Sequence, residues 1–372
     1  MANSVYEEKL NRIRKAVALE PVDRIPVAPG ANAYWARSQG IKLKDYISDF
    51  ELSREANIKA LTELDADATQ NEIFSPYLLC GHWLSEVWVP GKELPDDEMW
   101  QVIEKQTIRQ DEYHDILENG FEQFYKRVNR ERCGDPDTQL IPYFAACGEA
   151  KRRFIEAGLP CICDFLMITP FEFFCGGRSL ELFFMEDLMD EPDLVDKVFA
   201  SAMEYTLKTY EEMLARMRPI GVWVGGWRTA PAMLSPEQWE RFVWPYMKEY
   251  ANLCFKYDTI PLFHLDSCWD RELARFREMP AKRCIMGLDS TTDIRKAHQA
   301  VGDMMCLLGD VPAELLAFGR PQDVESYVRG ILDDNGPIGY IVSSGCDIPS
   351  DAKKENVAAM VSSAHNYLKT GK

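Results

Sequence analysis

The second half of this 372-residue chain alternates short apolar runs with amphipathic helical patterns, and that order leaves few folds open. The candidate strands are Cys161 to Thr169, Gly221 to Arg228, Ile260 to Leu265, Arg283 to Leu288, Met304 to Gly309 and Gly339 to Ser343. Runs that are apolar throughout belong to strands buried on both faces, and a helix between each pair implies parallel strands joined by crossovers. Ser235-Pro236-Glu237 opens one such helix, with a serine able to cap and a proline suited to the first turn. A single α/β barrel over residues 1–372 accommodates this length. Helical patterns at the start and over Lys44 to Leu64 precede it, Asp67 to Ser75 is the first-strand candidate, and Lys354 to Leu368 closes it. Residues 86–158 read as an inserted cap, first a β-ribbon over Glu86 to Arg109 and then helices.

Two strand ends carry chemistry. Ile260-Pro261-Leu262-Phe263-His264-Leu265-Asp266 places an imidazole and a carboxylate two residues apart, a spacing that points both the same way if the strand continues. Gly339 to Asp347 ends in Ser344-Gly345-Cys346-Asp347 and delivers a thiol beside a glycine. In a barrel of parallel strands these ends share one mouth, where His264 and Asp266 can hold a metal or share a proton and Cys346 brings a thiol. Glu172 is a candidate catalytic group.

Composition removes several function classes. A net charge of -18 opposes nucleic-acid binding, which needs a basic face. No apolar run approaches a membrane span. Eleven cysteines without framework spacing predict reduced thiols in a cytoplasm.

The sequence resembles the uroporphyrinogen decarboxylase superfamily, which also holds zinc-dependent corrinoid methyltransferases. The resemblance rests on Val22-Asp23-Arg24-Ile25-Pro26-Val27, on Leu234-Ser235-Pro236-Glu237-Gln238-Trp239-Glu240-Arg241-Phe242, on Gly287-Leu288-Asp289 and Gly309-Asp310-Val311-Pro312, and on Ser344-Gly345-Cys346-Asp347-Ile348-Pro349. It implies a distorted TIM barrel with its site at the C-terminal ends of the strands. The decarboxylases carry an arginine-rich segment where this chain has Gly30 to Arg37, an aspartate after a Phe-Ser pair where it has Pro76, and Gly-His-Gly where it has Gly345-Cys346-Asp347. All three departures point away from decarboxylation.

The methyltransferase branch binds zinc through His-X-Cys and a distant Cys. His264 and Cys346 match that pattern, with Asp266 where the first cysteine would stand, so the resemblance implies these three as metal ligands, with Cys306 or Cys268 as replacements for Asp266 in the shell and Asp289 as a fourth ligand or substrate-side base. A carboxylate in place of a thiolate leaves zinc the stronger Lewis acid, which suits removal of a methyl group from a phenyl ether. The resemblance therefore implies a zinc enzyme moving a methyl group from a methoxylated aromatic compound to the cobalt of a corrinoid carrier protein. The alternatives are a coenzyme M-type thiol methyltransferase and a decarboxylase. Carrier docking is expected at a mouth-side surface that includes Lys151-Arg152-Arg153, and a homodimer is an option the sequence leaves open.

Overall fold

The computed structural model describes residues 2–369. Its centre is a parallel sheet of six strands in sequential order, β3 (Leu166–Met167), β4 (Gly221–Gly226), β5 (Ile260–Leu265), β6 (Ile285–Leu288), β7 (Cys306–Val311) and β8 (Tyr340–Ser344). The sequence boundaries hold to within a few residues for these strands, except that Cys161 to Thr169 shortens to two paired residues. Two further extended segments join the sheet's edges. Val27 bridges Val342 of β8, the amide groups of Asp67 and Ala68 donate to the Val27 carbonyl, and Thr69 bridges Cys161 ahead of β3. The sheet thereby curls into the distorted (β/α)8-type barrel expected.

One expectation needs correction here. Asp67 to Ser75 is not a strand and not the first barrel position. Val27 takes that place, and the second segment touches its neighbours through single bridges, because its polar residues are drawn into side-chain bonds such as the one from Gln70 Nε2 to the Ala28 carbonyl.

The pleat sorts the strands' side chains. Leu262, Ile285, Cys306, Leu308 and Ile341 point inward and meet Ile13, Ala16 and Val17 of the helix Ala2–Val17, which plugs the barrel at the end away from the mouth. The alternate residues face outward against helices. In Trp244–Lys256, for example, Trp244, Met247, Tyr250, Ala251 and Cys254 form one buried stripe at helical spacing and pack on β4 and β5. The helix Pro236–Phe242 begins as expected, with Ser235 and Gln238 forming a reciprocal cap and Pro236 in the first turn.

The inserted region divides in two. On the mouth side the helix Leu78–Trp83 packs on the helix Pro170–Arg178 that follows β3, and the antiparallel ribbon of β1 (Glu86–Trp88) and β2 (Gln101–Ile103) packs on Leu78–Trp83 through β1. Gly176 and Gly177 permit this contact, since a Cβ at either would stand 2.1 Å from the Trp83 carbonyl oxygen or 2.4 Å from Ile108. The helix Ile141–Glu156 instead packs on the barrel's flank against Ala2–Val17 and Phe50–Glu63. Lys151 pairs with Asp164, whose amide donates to Gly221 at the start of β4, and Arg153 pairs with Glu55. The basic run is therefore at the end opposite the mouth, not beside it. None of the eleven cysteines is in a disulfide, and no helix among the described residues is long and apolar enough to cross a membrane.

Candidate metal centre

His264 is placed by its neighbours as much as by its own strand. In the register it pairs with Gly225 of β4 on one side and Gly287 of β6 on the other. Paired residues of parallel strands share a face, so the buried imidazole projects inward between two positions that have no side chain. Trp223, one inward layer below, lies flat beneath it with ring centroids 4.1 Å apart and planes within 2°.

Asp266 follows the end of β5. Its amide donates to the Gly226 carbonyl, and its own carbonyl accepts from Trp269 Nε1 at 2.8 Å. Ser267, at φ 69°, turns the chain sharply after it and donates its amide to Asp289 Oδ2. Cys346 arrives from the end of β8. A Cβ on Gly345 would stand 2.7–3.0 Å from the backbone of Asp289, so only glycine lets these two loops touch and brings the thiol over β5. Cys346 is exposed to solvent yet ringed by protein, as on the floor of an open concavity.

The three ligand atoms converge. His264 Nε2 is 3.2 Å from Asp266 Oδ1 and 3.8 Å from Cys346 Sγ, and all three lie within 4.8 Å of one another. A tetrahedral zinc ion with bonds of about 2.0–2.3 Å spaces its ligands roughly 3.3–3.8 Å apart, which these distances match. Asp266 Oδ1 is buried and makes no hydrogen bond of good geometry, its one polar neighbour across the gap being His264 Nε2, so it is an ion-pair partner when the imidazole is protonated and a metal donor when it is neutral. A Cys-His-Asp relay would place the thiol and the carboxylate on opposite ring nitrogens. Here both face Nε2, which is the arrangement of a donor set closing on one point. Burial pushes the imidazole pKa down, but Asp266 and Cys346 outweigh it and hold His264 well above its ordinary value. Burial pushes the Cys346 thiol up, and His264 pulls it back.

The other expected residues go elsewhere. Cys306 is not a ligand: it faces inward in the layer of Leu262 and Ile285, about 6–7 Å further from the mouth than His264, in an apolar shell that raises its thiol pKa. Cys268 lies outside the converging group. Asp289 spends both oxygens on the loops, accepting from the Ser267 and Thr291 amides and from Thr291 Oγ1. Glu172, fully buried on Pro170–Arg178, accepts from Trp83 Nε1 and from the amides of Trp227 and Arg228 at 2.8–3.1 Å. Burial lifts its carboxyl to about 7 against these donors.

Sequence reasoning missed several wall residues. Asn71 donates to Asn32 Oδ1, and Asn32 donates to Asp347 Oδ2, so two N-terminal segments tether the loop that carries Cys346. Trp223 and Trp227 also escaped notice as site residues. Gly225-Gly226 was the available signal, because a Cβ on Gly225 would be 2.2 Å from the Trp227 ring, which folds back over that position.

Similar proteins agree with this architecture. The family described as uroporphyrinogen decarboxylase (URO-D) matches residues 175–367, just over half of the chain. The uroporphyrinogen decarboxylase of Geobacter sulfurreducens is 27% identical over 373 residues, covering 95% of this chain and 98% of its own. That of Syntrophotalea carbinolica is 27% identical over 242 residues, covering 62% and 67%. A methyltransferase from Methanosarcina mazei superposes with a TM-score of 0.72 over 97% of this chain and 99% of its own, at 16% identity, a likeness of fold.

Proposed function

Because the chain belongs to the uroporphyrinogen decarboxylase family, whose barrel here gathers His264, Asp266 and Cys346 at its mouth, we propose that it is a zinc-dependent methyltransferase taking the methyl group of a methoxylated aromatic compound to the cobalt of a corrinoid carrier protein. The family, its decarboxylase relatives and the methyltransferase of like fold support an enzyme of methyltransferase or decarboxylase type. The observation that carries the finer reading is the convergence of His264 Nε2, Asp266 Oδ1 and Cys346 Sγ on one point, all within 4.8 Å of one another.

His264, Asp266 and Cys346 would hold zinc, which when bound supplies a Lewis acid to the ether oxygen as phenolate leaves. The chain's own part is orientation. Trp223 fixes the imidazole plane, the Asn71, Asn32 and Asp347 bonds fix the loop of Cys346, and Asp289 fixes the turn after Asp266. Trp83 and Trp227 give the mouth an aromatic wall beside His264. A mixed set of one thiolate, one imidazole and one carboxylate donates less charge than two thiolates, which favours an ether substrate over activation of a thiol.

Decarboxylation has the relatives' names in its favour. Against it, Arg37, the one arginine in the stretch Gly30 to Arg37, is spent on Ser350 Oγ and the Asp97 carbonyl, and Cys346 stands where a decarboxylase places histidine.

The test is metal content followed by cobalt spectroscopy. One zinc per chain is expected, lost in His264→Ala and in Cys346→Ala with the fold intact. Methoxyarenes are then expected to convert a cobalt(I) corrinoid carrier to its methylated absorbance spectrum only with zinc-loaded protein. Full metal retention in both variants would overturn the centre.

A further inference from the structure

We propose that Glu72, Cys161 and Asp164 form a second divalent-metal site, away from the mouth, that clasps the seam where the first half of the chain meets the approach to β3. The site is independent of whatever reaction the mouth performs. One ligand atom from each of the three residues lies within 4.8 Å of the other two. Asp164 donates its amide to the Gly221 carbonyl. Gly221 opens β4 four residues before Gly225, the partner of His264, so the cluster sits roughly 13 Å below the mouth centre.

The cluster is more than a group of acids at a surface. Cys161 is buried, and the Asp164 side chain is only 5% exposed. Lys151 Nζ donates to Asp164 Oδ1 at 3.1 Å, whereas Asp164 Oδ2 is buried and has no hydrogen-bond partner. Glu72 is half-buried, and its carboxyl accepts no hydrogen bond among the described residues. Burial and the Asp164 charge lift the Glu72 carboxyl to about 8, and burial raises Asp164, while Lys151 pulls both back. Negative charge is therefore crowded here with too little cation beside it. Two carboxylates and a thiolate carry three negative charges, of which Lys151 balances one and a divalent ion the remaining two. A thiolate among carboxylate oxygens suits zinc or cobalt(II) rather than magnesium or calcium.

The seam is the place where such an ion matters. Its two sides meet through the single Thr69–Cys161 bridge, with the Thr69 amide donating to the Pro160 carbonyl and the Ile162 amide to the Thr69 carbonyl. Glu72 comes from one side, Cys161 and Asp164 from the other, and Lys151 reaches across from the helix Ile141–Glu156. An ion bonded to all three ligands joins segments that sheet pairing holds weakly. The Cys161 thiol must lose its proton in a buried shell that opposes its charge, so this is the weaker of the two sites. It fills from added metal, and protein purified without such addition carries zinc at the mouth alone.

The experiment adds cobalt(II), whose bond to a thiolate gives a charge-transfer absorption band, to the Cys346→Ala protein, where the mouth thiolate is gone. The band is expected there. Cys161→Ala in the same background should abolish it, and Glu72→Gln should weaken the cobalt affinity roughly tenfold or more, at least what loss of an outer partner costs a metal site. In the otherwise unmodified protein, zinc added beyond the mouth equivalent should raise the urea midpoint, since an ion bound only by the folded state stabilises it. Glu72→Gln should lose that rise and keep the mouth zinc. Absence of the band in Cys346→Ala would overturn the site and leave the cluster sharing a proton. A band that survives Cys161→Ala would also overturn it, because another thiol then holds the ion. A Cys161-dependent band with no rise in the urea midpoint would overturn the clasp.

Discussion

The His264 imidazole rests face to face on the Trp223 indole, 4.1 Å between centroids and 2° between planes. A ring held this way can turn little about its own axis, so Nε2 stays aimed at Asp266 and Cys346. Trp223→Phe keeps a ring in the layer but loses much of the overlap. It is expected to lower zinc affinity by about 10-fold or more, as loss of an orienting partner does. Chelator competition measures this, and unchanged affinity would show that the stack is only packing.

Gly345 controls whether the thiol reaches the site. Gly345→Ala sets a methyl group 2.7–3.0 Å from the Asp289 backbone and forces the two loops apart. Metal binding is expected to fail, with a stability loss of about 1–3 kcal/mol from overpacking. Metal analysis beside urea unfolding separates the two effects, and a variant that keeps full zinc would contradict the account of how Cys346 is delivered.

Cys306 supplies the opposite case. Buried one layer below His264, it should act only as a small apolar residue. Cys306→Ala is expected to keep one zinc per chain and to cost about 1 kcal/mol of stability. Loss of the metal in this variant would return Cys306 to the ligand shell.

Glu172 makes a pH prediction. Burial raises its folded pKa from an ordinary 4.5 to about 7, so between those values the folded state holds the proton more often than the unfolded one. Its contribution to stability is then full below about pH 4.5 and is lost as pH rises through about 7. Glu172→Gln has no such titration. The variant's stability deficit should therefore be largest near pH 5 and shrink by about 3 kcal/mol toward pH 8, on the scale of 1.36 kcal/mol per pKa unit. Urea unfolding of both proteins at the two pH values checks it, and a constant deficit would mean that Glu172 titrates normally.

By itself the sequence determined the alternation of buried strands and crossover helices, since period and length of apolar runs are local properties of the chain. It also determined that His264, Asp266 and Cys346 stand at strand ends, because an i, i+2 spacing and a strand's last residues can be counted. Tertiary structure decided the rest. Whether Cys306 or Asp266 meets His264 depends on which face of β7 points inward and at what height, and register between β5, β6 and β7 sets that, not spacing. The edge pairings of Val27 and Thr69 rest on single bridges with no periodic signal to read. Asp289 and Glu172 look like free acids in the sequence, yet backbone amides from distant loops satisfy them. The basic run Lys151-Arg152-Arg153 falls at the far end because its helix runs antiparallel to the strands along the barrel's flank, a direction that only packing against Ala2–Val17 and Phe50–Glu63 fixes.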